Sequence, residues 1–150
     1  MTTYVVLLRA VNVGGHNKVP MAELRELLAD NRFTNVSTYI QSGNVVCTSR
    51  RKAPGVATTI AAAIRKRFGH DIAVIVRTAD EFNAVVASTP YPNPDPKRNG
   101  VVFFDRPVDG ELDTAKFAPD ECLLTGSEAY VFHPNGFESK LTPAWIEKQT

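Results

Sequence analysis

Nine residues of this 150-residue chain have the types and spacing to hold an anion or a polar small molecule: Arg9, Asn12, Gly14, Gly15, Lys18, Gln41, Ser42, Asn44 and Lys140. Arg and Lys neutralise negative charge, and Asn, Gln and Ser side chains donate and accept hydrogen bonds. Paired glycines let backbone amides come close to a phosphate or carboxylate. Each residue also has a plainer reading. Gly14 and Gly15 suit a turn that needs positive φ, Asn12 and Asn44 suit backbone capping, and Arg9 and Lys18 suit a solvated strand end. The case for a pocket rests on their falling together. The segment Val13-Gly14-Gly15-His16-Asn17-Lys18 has neither the Gly-Lys-Ser/Thr ending of a phosphate-binding loop nor a Gly-x-Gly-x-x-Gly fingerprint, so no motif specifies a nucleotide.

Other chemistries find less support. His16, His70 and His133 lack the spacing of paired metal ligands, so neither a metal nor a cofactor is assigned. No Gly-x-Ser-x-Gly elbow occurs, and Ser42 has no evident base unless His70 reaches it. Cys47 and Cys122 are far apart among apolar or β-prone neighbours, as expected for reduced, packed thiols.

The elements that position these residues follow from periodicity. Tyr4 to Leu8 is a continuous β-prone run. Pro20 opens a helix whose stripe is Met21, Leu24, Leu27 and Leu28. Val36 to Ile40 and Asn44 to Thr48 form a hairpin about Gln41-Ser42-Gly43. After Pro54, Val56, Ile60, Ile64 and Phe68 recur every fourth residue, and Gly69 caps that helix. Ile72 to Val76 is a further strand. Residues of about 4–77 thus read strand, helix, strand, strand, helix, strand. That is the ferredoxin-like βαββαβ order of an α+β fold, with two helices on one face of an antiparallel sheet. In it the Arg9 to Val19 loop, the start of the first helix, the Gln41 to Asn44 hairpin and Gly69-His70-Asp71 all meet at one end. The last strand lies at an edge and needs cover.

The second part, residues 78–150, is a smaller α+β unit expected to pack on the first, residues 1–77. Thr78-Ala79-Asp80-Glu81 is a capping box ahead of Phe82, Val85 and Val86. Pro90, Pro92, Pro94 and Pro96 favour an extended surface loop. Val101 to Phe104 reads as a strand, Val108 to Phe117 as a helical turn or two, and Glu121 to Leu124 with Glu128 to His133 as a hairpin about Gly126-Ser127. Thr142-Pro143-Ala144-Trp145 starts a short final helix.

Composition sets the class. Hydrophobic residues make up 43% and charged residues 22%, which excludes wholesale disorder, a collagen-like fibre and a disulfide scaffold. No apolar run approaches the roughly 20 residues of a membrane span, and no leader pattern opens the chain, so no membrane partner and a cytoplasmic location are expected. Up to Arg77 there are 11 Lys and Arg against 4 Asp and Glu, and thereafter 6 against 12. The basic first half attracts anions or the acidic second half. Nucleic acid is the less favoured partner. An RNA-recognition motif shares the element order but needs stacking aromatics, and Asn44-Val45-Val46-Cys47-Thr48 has none.

Three blocks carry a wider resemblance. They are Leu7-Leu8-Arg9-Ala10-Val11-Asn12-Val13-Gly14-Gly15 with Asn17-Lys18-Val19-Pro20-Met21, then Thr38-Tyr39-Ile40-Gln41-Ser42-Gly43-Asn44-Val45, and Ser139-Lys140-Leu141. With them the chain resembles the bacterial domain-of-unknown-function 1697 family (DUF1697) over essentially its whole length. The resemblance implies a ferredoxin-like first part joined to a second α+β part, and it brings no activity. Ala10 stands where the family usually has Gly, His16 where Lys or Asn is common, and Cys47 where Phe is frequent. The family typically continues into a Thr-Thr-Arg-Asn-Trp segment, so a second part shortened at its C-terminus is expected. The functional expectation is a cytoplasmic protein that binds a nucleotide or phosphorylated metabolite, with a non-catalytic protein-binding or nucleic-acid-binding module as the alternative. If it is an enzyme, positional and electrostatic catalysis fits better than covalent chemistry, since no poised nucleophile is visible.

Overall fold

A computed structural model describes residues 1–91, 95–108 and 110–150. The chain has a mixed α+β fold, with two antiparallel sheets and four α-helices among the described residues. It divides into two compact units, Met1–Ala84 and Val85–Thr150.

In the first unit β1 (Thr2–Leu8), β2 (Thr34–Tyr39), β3 (Asn44–Ser49) and β4 (Val74–Thr78) form one sheet in the order β2-β3-β1-β4. Along β1 the side chains of Tyr4, Val6 and Leu8 are buried while Val5 and Leu7 are half-buried, the period-two pattern of a strand with one face on a core. That core receives α1 (Met21–Asp30) through Met21, Leu24, Leu27 and Leu28. It receives α2 (Ala53–Phe68) through Val56, Ile60, Ala63 and Ile64. Burying each large aliphatic side chain contributes about 2 kcal/mol, so this stripe fixes where both helices lie. α2 ends because Gly69 takes φ 75° while its N–H bonds Arg65 O at 2.9 Å.

Strand register decides which ends meet. Leu7 pairs with Asn44 and Leu8 with Val74, both antiparallel. The end of β1, the start of β3 and the start of β4 therefore share one edge of the sheet. β4 begins two residues later than the apolar run from Ile72 predicts. Ile72 leaves the ladder to plug the core, and Ala73 O instead accepts from Arg9 N at 3.0 Å. The outer strand β2 is kinked: its register against β3 shifts between Thr34 and Ser37, and Asn35 there has φ 51°.

Helix α3 (Ala79–Ala87) starts as the capping box predicts, with Glu81 N donating to Thr78 Oγ1 at 3.1 Å. In the second unit β5 (Asn99–Phe103), β6 (Glu121–Leu124) and β7 (Glu128–Phe132) form a sheet in the order β5-β7-β6. Its core joins Val102, Phe104, Val108, Ala129, Val131, Leu141 and Ile146, the last from α4 (Pro143–Gln149). Thr142 caps α4 by accepting from Trp145 N at 3.1 Å. The helical turn or two expected over Val108 to Phe117 reduces, among the described residues, to one 3-10 turn, Ala115–Phe117. Asp113 Oδ1 takes the Ala115 amide at 3.2 Å, a local bond that competes with helix growth. Pro92 and Pro94 of the expected proline-rich loop lie outside the described residues. No helix among the described residues is long and apolar enough to cross a membrane.

Candidate functional site

The loop between β1 and α1 is braced chiefly by the Asn12 amide. Asn12 Oδ1 accepts from Val19 N at 2.8 Å, and Asn12 Nδ2 donates to Val19 O at 2.9 Å and to Gln41 O at 2.7 Å. One side chain thus closes the loop on itself and ties it to the β2-β3 hairpin. Asn12 N also donates to Asn17 O at 3.1 Å, and Asn17 Nδ2 donates to Ala10 O at 3.2 Å. At the tip, Gly14 and Gly15 both have positive φ, 57° and 78°, and His16 N donates to Val13 O at 2.9 Å. These are the marks of a primed two-residue turn, which explains the glycine pair by backbone geometry.

The hairpin is built in the same manner. Asn44 Nδ2 donates to Ser42 Oγ at 2.8 Å and to Tyr39 O at 3.3 Å. Gly43 has φ 84°, and its carbonyl accepts from Leu8 N at 2.8 Å. A Cβ there would stand 2.7 Å from Val11 Cγ2, 2.8 Å from Leu8 Cβ and 3.2 Å from Leu8 O, so only Gly fits. The backbone is left-handed at four non-glycine residues of these two segments: Ala10, Asn12, Asn17 and Ile40. For β-branched Ile40, at φ 49°, this is a costly conformation.

The predicted residues therefore separate. Asn12 spends its amide on backbone, Asn44 divides its own between Ser42 Oγ and Tyr39 O, and Gly14 and Gly15 shape a turn. Lys18, Gln41 and Ser42 are exposed, Arg9 is half-buried, and Asn12 brings the loop to the backbone of Gln41. α1 opens from Pro20 without a side-chain cap, so its first amides face no side-chain acceptor. The basic clusters are in part structural: Arg51 donates to Asn31 O at 2.9 Å and stacks over Phe33, while Arg65 and Arg67 make exposed ion pairs with Asp71 and Glu23.

Lys140 belongs to the second unit, where it lines a groove of about 500 Å³ with Lys116, Phe117, Asp120, Ser139 and Trp145. Phe117 and Trp145 meet edge to face, centroids 4.7 Å apart, and Lys116 Nζ lies 5.1 Å from each ring centroid. At its base the Ser139 hydroxyl donates to Asp120 Oδ2 and accepts from Leu141 N at 3.0 Å. His133 Nδ1 lies 3.4 Å from the same Oδ2. That is an ion-pair distance, but the atom makes no hydrogen bond, so the contact is electrostatic only.

The sequence pattern of the family described as "Protein of unknown function (DUF1697)" matches residues 1–130. The chain belongs to the DUF1697 family. No curated protein matches it. Among solved structures it is similar to conserved bacterial protein SP0830 from Streptococcus pneumoniae, with a TM-score of 0.69 and 22% identity over 89% of this chain and 78% of that one. A likeness at that identity speaks to the fold alone.

Two departures from what the resemblance implies have a physical setting. Ala10, where the resemblance implies Gly, sits at φ 56°, a region Gly enters without a Cβ penalty. Cys47 is fully buried on β3, and burial pushes its thiol up to about 11, which keeps it protonated and inert. Sequence reasoning missed Lys116, Phe117, Asp120 and Trp145. Their signal is faint, since they come from a 3-10 turn, a loop and a seven-residue helix without periodicity, and only Ser139-Lys140 stands out.

Proposed function

We propose that the loop-and-hairpin end of the first unit binds a small anionic molecule, a nucleotide or phosphorylated metabolite, in a cytoplasmic protein whose first unit is ferredoxin-like. The element order and the strand order β2-β3-β1-β4 support the ferredoxin-like reading. Lys18 and Arg9 supply positive charge, and the side chains of Gln41 and Ser42 supply hydrogen bonds. Asn12 and Asn44 hold the two segments in position instead of touching the ligand.

The observation that carries this reading is the concentration of left-handed backbone at Ala10, Asn12, Asn17 and Ile40, in two segments locked together through Asn12. Strain of about 1 to 3 kcal/mol per residue persists where surrounding structure enforces it, and it gathers at sites that hold ligands. Ligand stabilisation tests it. Sugar phosphates, which lack a base, should at millimolar concentration raise the melting temperature of the wild type, and Lys18→Ala should abolish the rise. No rise, or one untouched by Lys18→Ala and Ser42→Ala, overturns the proposal.

One observation favours a second reading, a non-catalytic module that binds a protein. Val13, Tyr39 and Ile40 expose 61%, 73% and 61% of their surface at this same end. Under that reading Tyr39→Ser weakens partner binding, while added sugar phosphates leave the melting temperature unchanged.

A further inference from the structure

We propose that the groove of the second unit is a separate binding site for a nucleoside phosphate whose base carries an exocyclic amine. The inference rests on this unit alone and stands or falls independently of the site in the first.

Three chemistries meet in the groove, and each asks for a different part of such a ligand. The first is an aromatic wall. Phe117 and Trp145 are half-buried, so part of each ring faces the groove. The Lys116 ammonium, 5.1 Å from both centroids, occupies the position over the rings where a flat ligand would stack. A base entering there takes over the ring face and releases the ammonium, which lies within a side chain's swing of the ligand's phosphate.

The second is an under-used acceptor. The side chain of Asp120 is 10% exposed and that of His133 is 4% exposed. A carboxylate can accept about four hydrogen bonds. Here Ser139 supplies one, and His133 Nδ1 supplies none although it lies 3.4 Å away. His133 Nδ1, buried without a hydrogen bond, is costly and calls for an explanation. Asp120 lines the groove, so a donor arriving through it completes the carboxylate. The amine of adenine, cytosine or guanine is such a donor, and a carboxylate reads it directly.

The third is positive charge. Residues 85–150 hold 6 Lys and Arg against 10 Asp and Glu. Two of those six cations, Lys116 and Lys140, nonetheless flank this one groove, and both are exposed. A cavity of about 500 Å³ lies within the usual size of small-molecule sites, roughly 300 to 1,000 Å³. A stacked base with its amine on Asp120 and its phosphate on the two lysines uses all three chemistries.

The full chain carries its own reporter, since Trp145 is its single tryptophan. Titration with AMP, CMP or GMP, corrected for nucleotide absorbance, should change its fluorescence to saturation. UMP, which lacks the amine, should bind about tenfold more weakly, the effect of losing one hydrogen bond to a charged group. Lys116→Ala and Lys140→Ala should each weaken binding severalfold, whereas Lys148→Ala should leave it unchanged. Tetranucleotides run in parallel tell a free nucleotide from one within a strand, and saturation by either supports the site. Asp120→Asn should erase the preference over UMP. If that variant fails to fold, the exposed lysines still decide the matter. No saturable change at millimolar nucleotide, equal binding of UMP and CMP, or binding that survives loss of both Lys116 and Lys140 would overturn the proposal.

Discussion

The loop-and-hairpin end of the first unit and the groove of the second are both rich in polar side chains, and they spend them in opposite ways. In the first, Asn12 satisfies backbone groups of a contorted chain, and Asn44 bonds Tyr39 O and the Ser42 hydroxyl of its own hairpin. In the second, the Asp120 carboxylate and the His133 ring are nearly sealed from solvent with one hydrogen bond, from Ser139, supplied to the carboxylate. The contrast teaches that a cluster of Asn and Gly marks where a backbone must be forced into shape. A nearly buried carboxylate beside two aromatic rings is where the proposed ligand enters.

Several substitutions can break or sharpen that contrast. The largest effect belongs to Gly43→Ala, which adds a Cβ 2.8 Å from Leu8 Cβ and 3.2 Å from Leu8 O at a φ of 84°. Strain and overpacking together should cost roughly 3 to 5 kcal/mol in urea denaturation. A loss below about 1 kcal/mol would mean that the hairpin tip is not locked against β1. Next comes Asn12→Ala, which removes three hydrogen bonds and leaves Val19 N without its partner. The expected loss is about 2 to 4 kcal/mol. Unchanged stability with lost ligand affinity would instead make Asn12 a recognition residue.

The two thiols compare the units through pH. The Cys47 thiol is protonated up to about 11 when folded, against 9.0 for its ordinary value, so between those values the folded chain holds a proton that the unfolded chain has lost. Stability is therefore full below pH 9 and falls as pH rises through 11, by about 2 to 3 kcal/mol. Cys47→Ala should remove that part of a pH series of urea melts. Half-buried Cys122, also raised by burial, should still react with a thiol reagent well before Cys47.

Ser139→Ala tests the groove. It removes the donor to Asp120 and the acceptor for Leu141 N, so a loss of about 1 to 2 kcal/mol is expected. A neutral result would show that the buried carboxylate does not depend on that hydroxyl. The smallest effect runs the other way: Ala10→Gly, at φ 56°, should stabilise by about 0.5 to 1 kcal/mol in the same assay.

Much of the first unit was legible because its signals are local. The stripe of α2, the Gly69 cap and the capping box at Thr78 each need only a few residues in one window. The start of β4 was not, since Ile72 reads as strand by composition and only the register with Leu8 excludes it. For Asn12 the sequence offers both bracing and recognition and cannot choose, because the partner carbonyl of Gln41 is 29 residues away. The groove stayed hidden for the same reason: Asp120 and Ser139 are 19 residues apart, and nothing periodic joins them.

The kink in β2 has a consequence for how copies of this chain behave when crowded. An outer strand with regular spacing offers its free amides and carbonyls to any extended peptide that comes alongside. Here the slip between Thr34 and Ser37 and the turned backbone at Asn35 interrupt that row part-way along, so a visiting strand finds no continuous template. The defect guards against fibre growth from that side of the sheet.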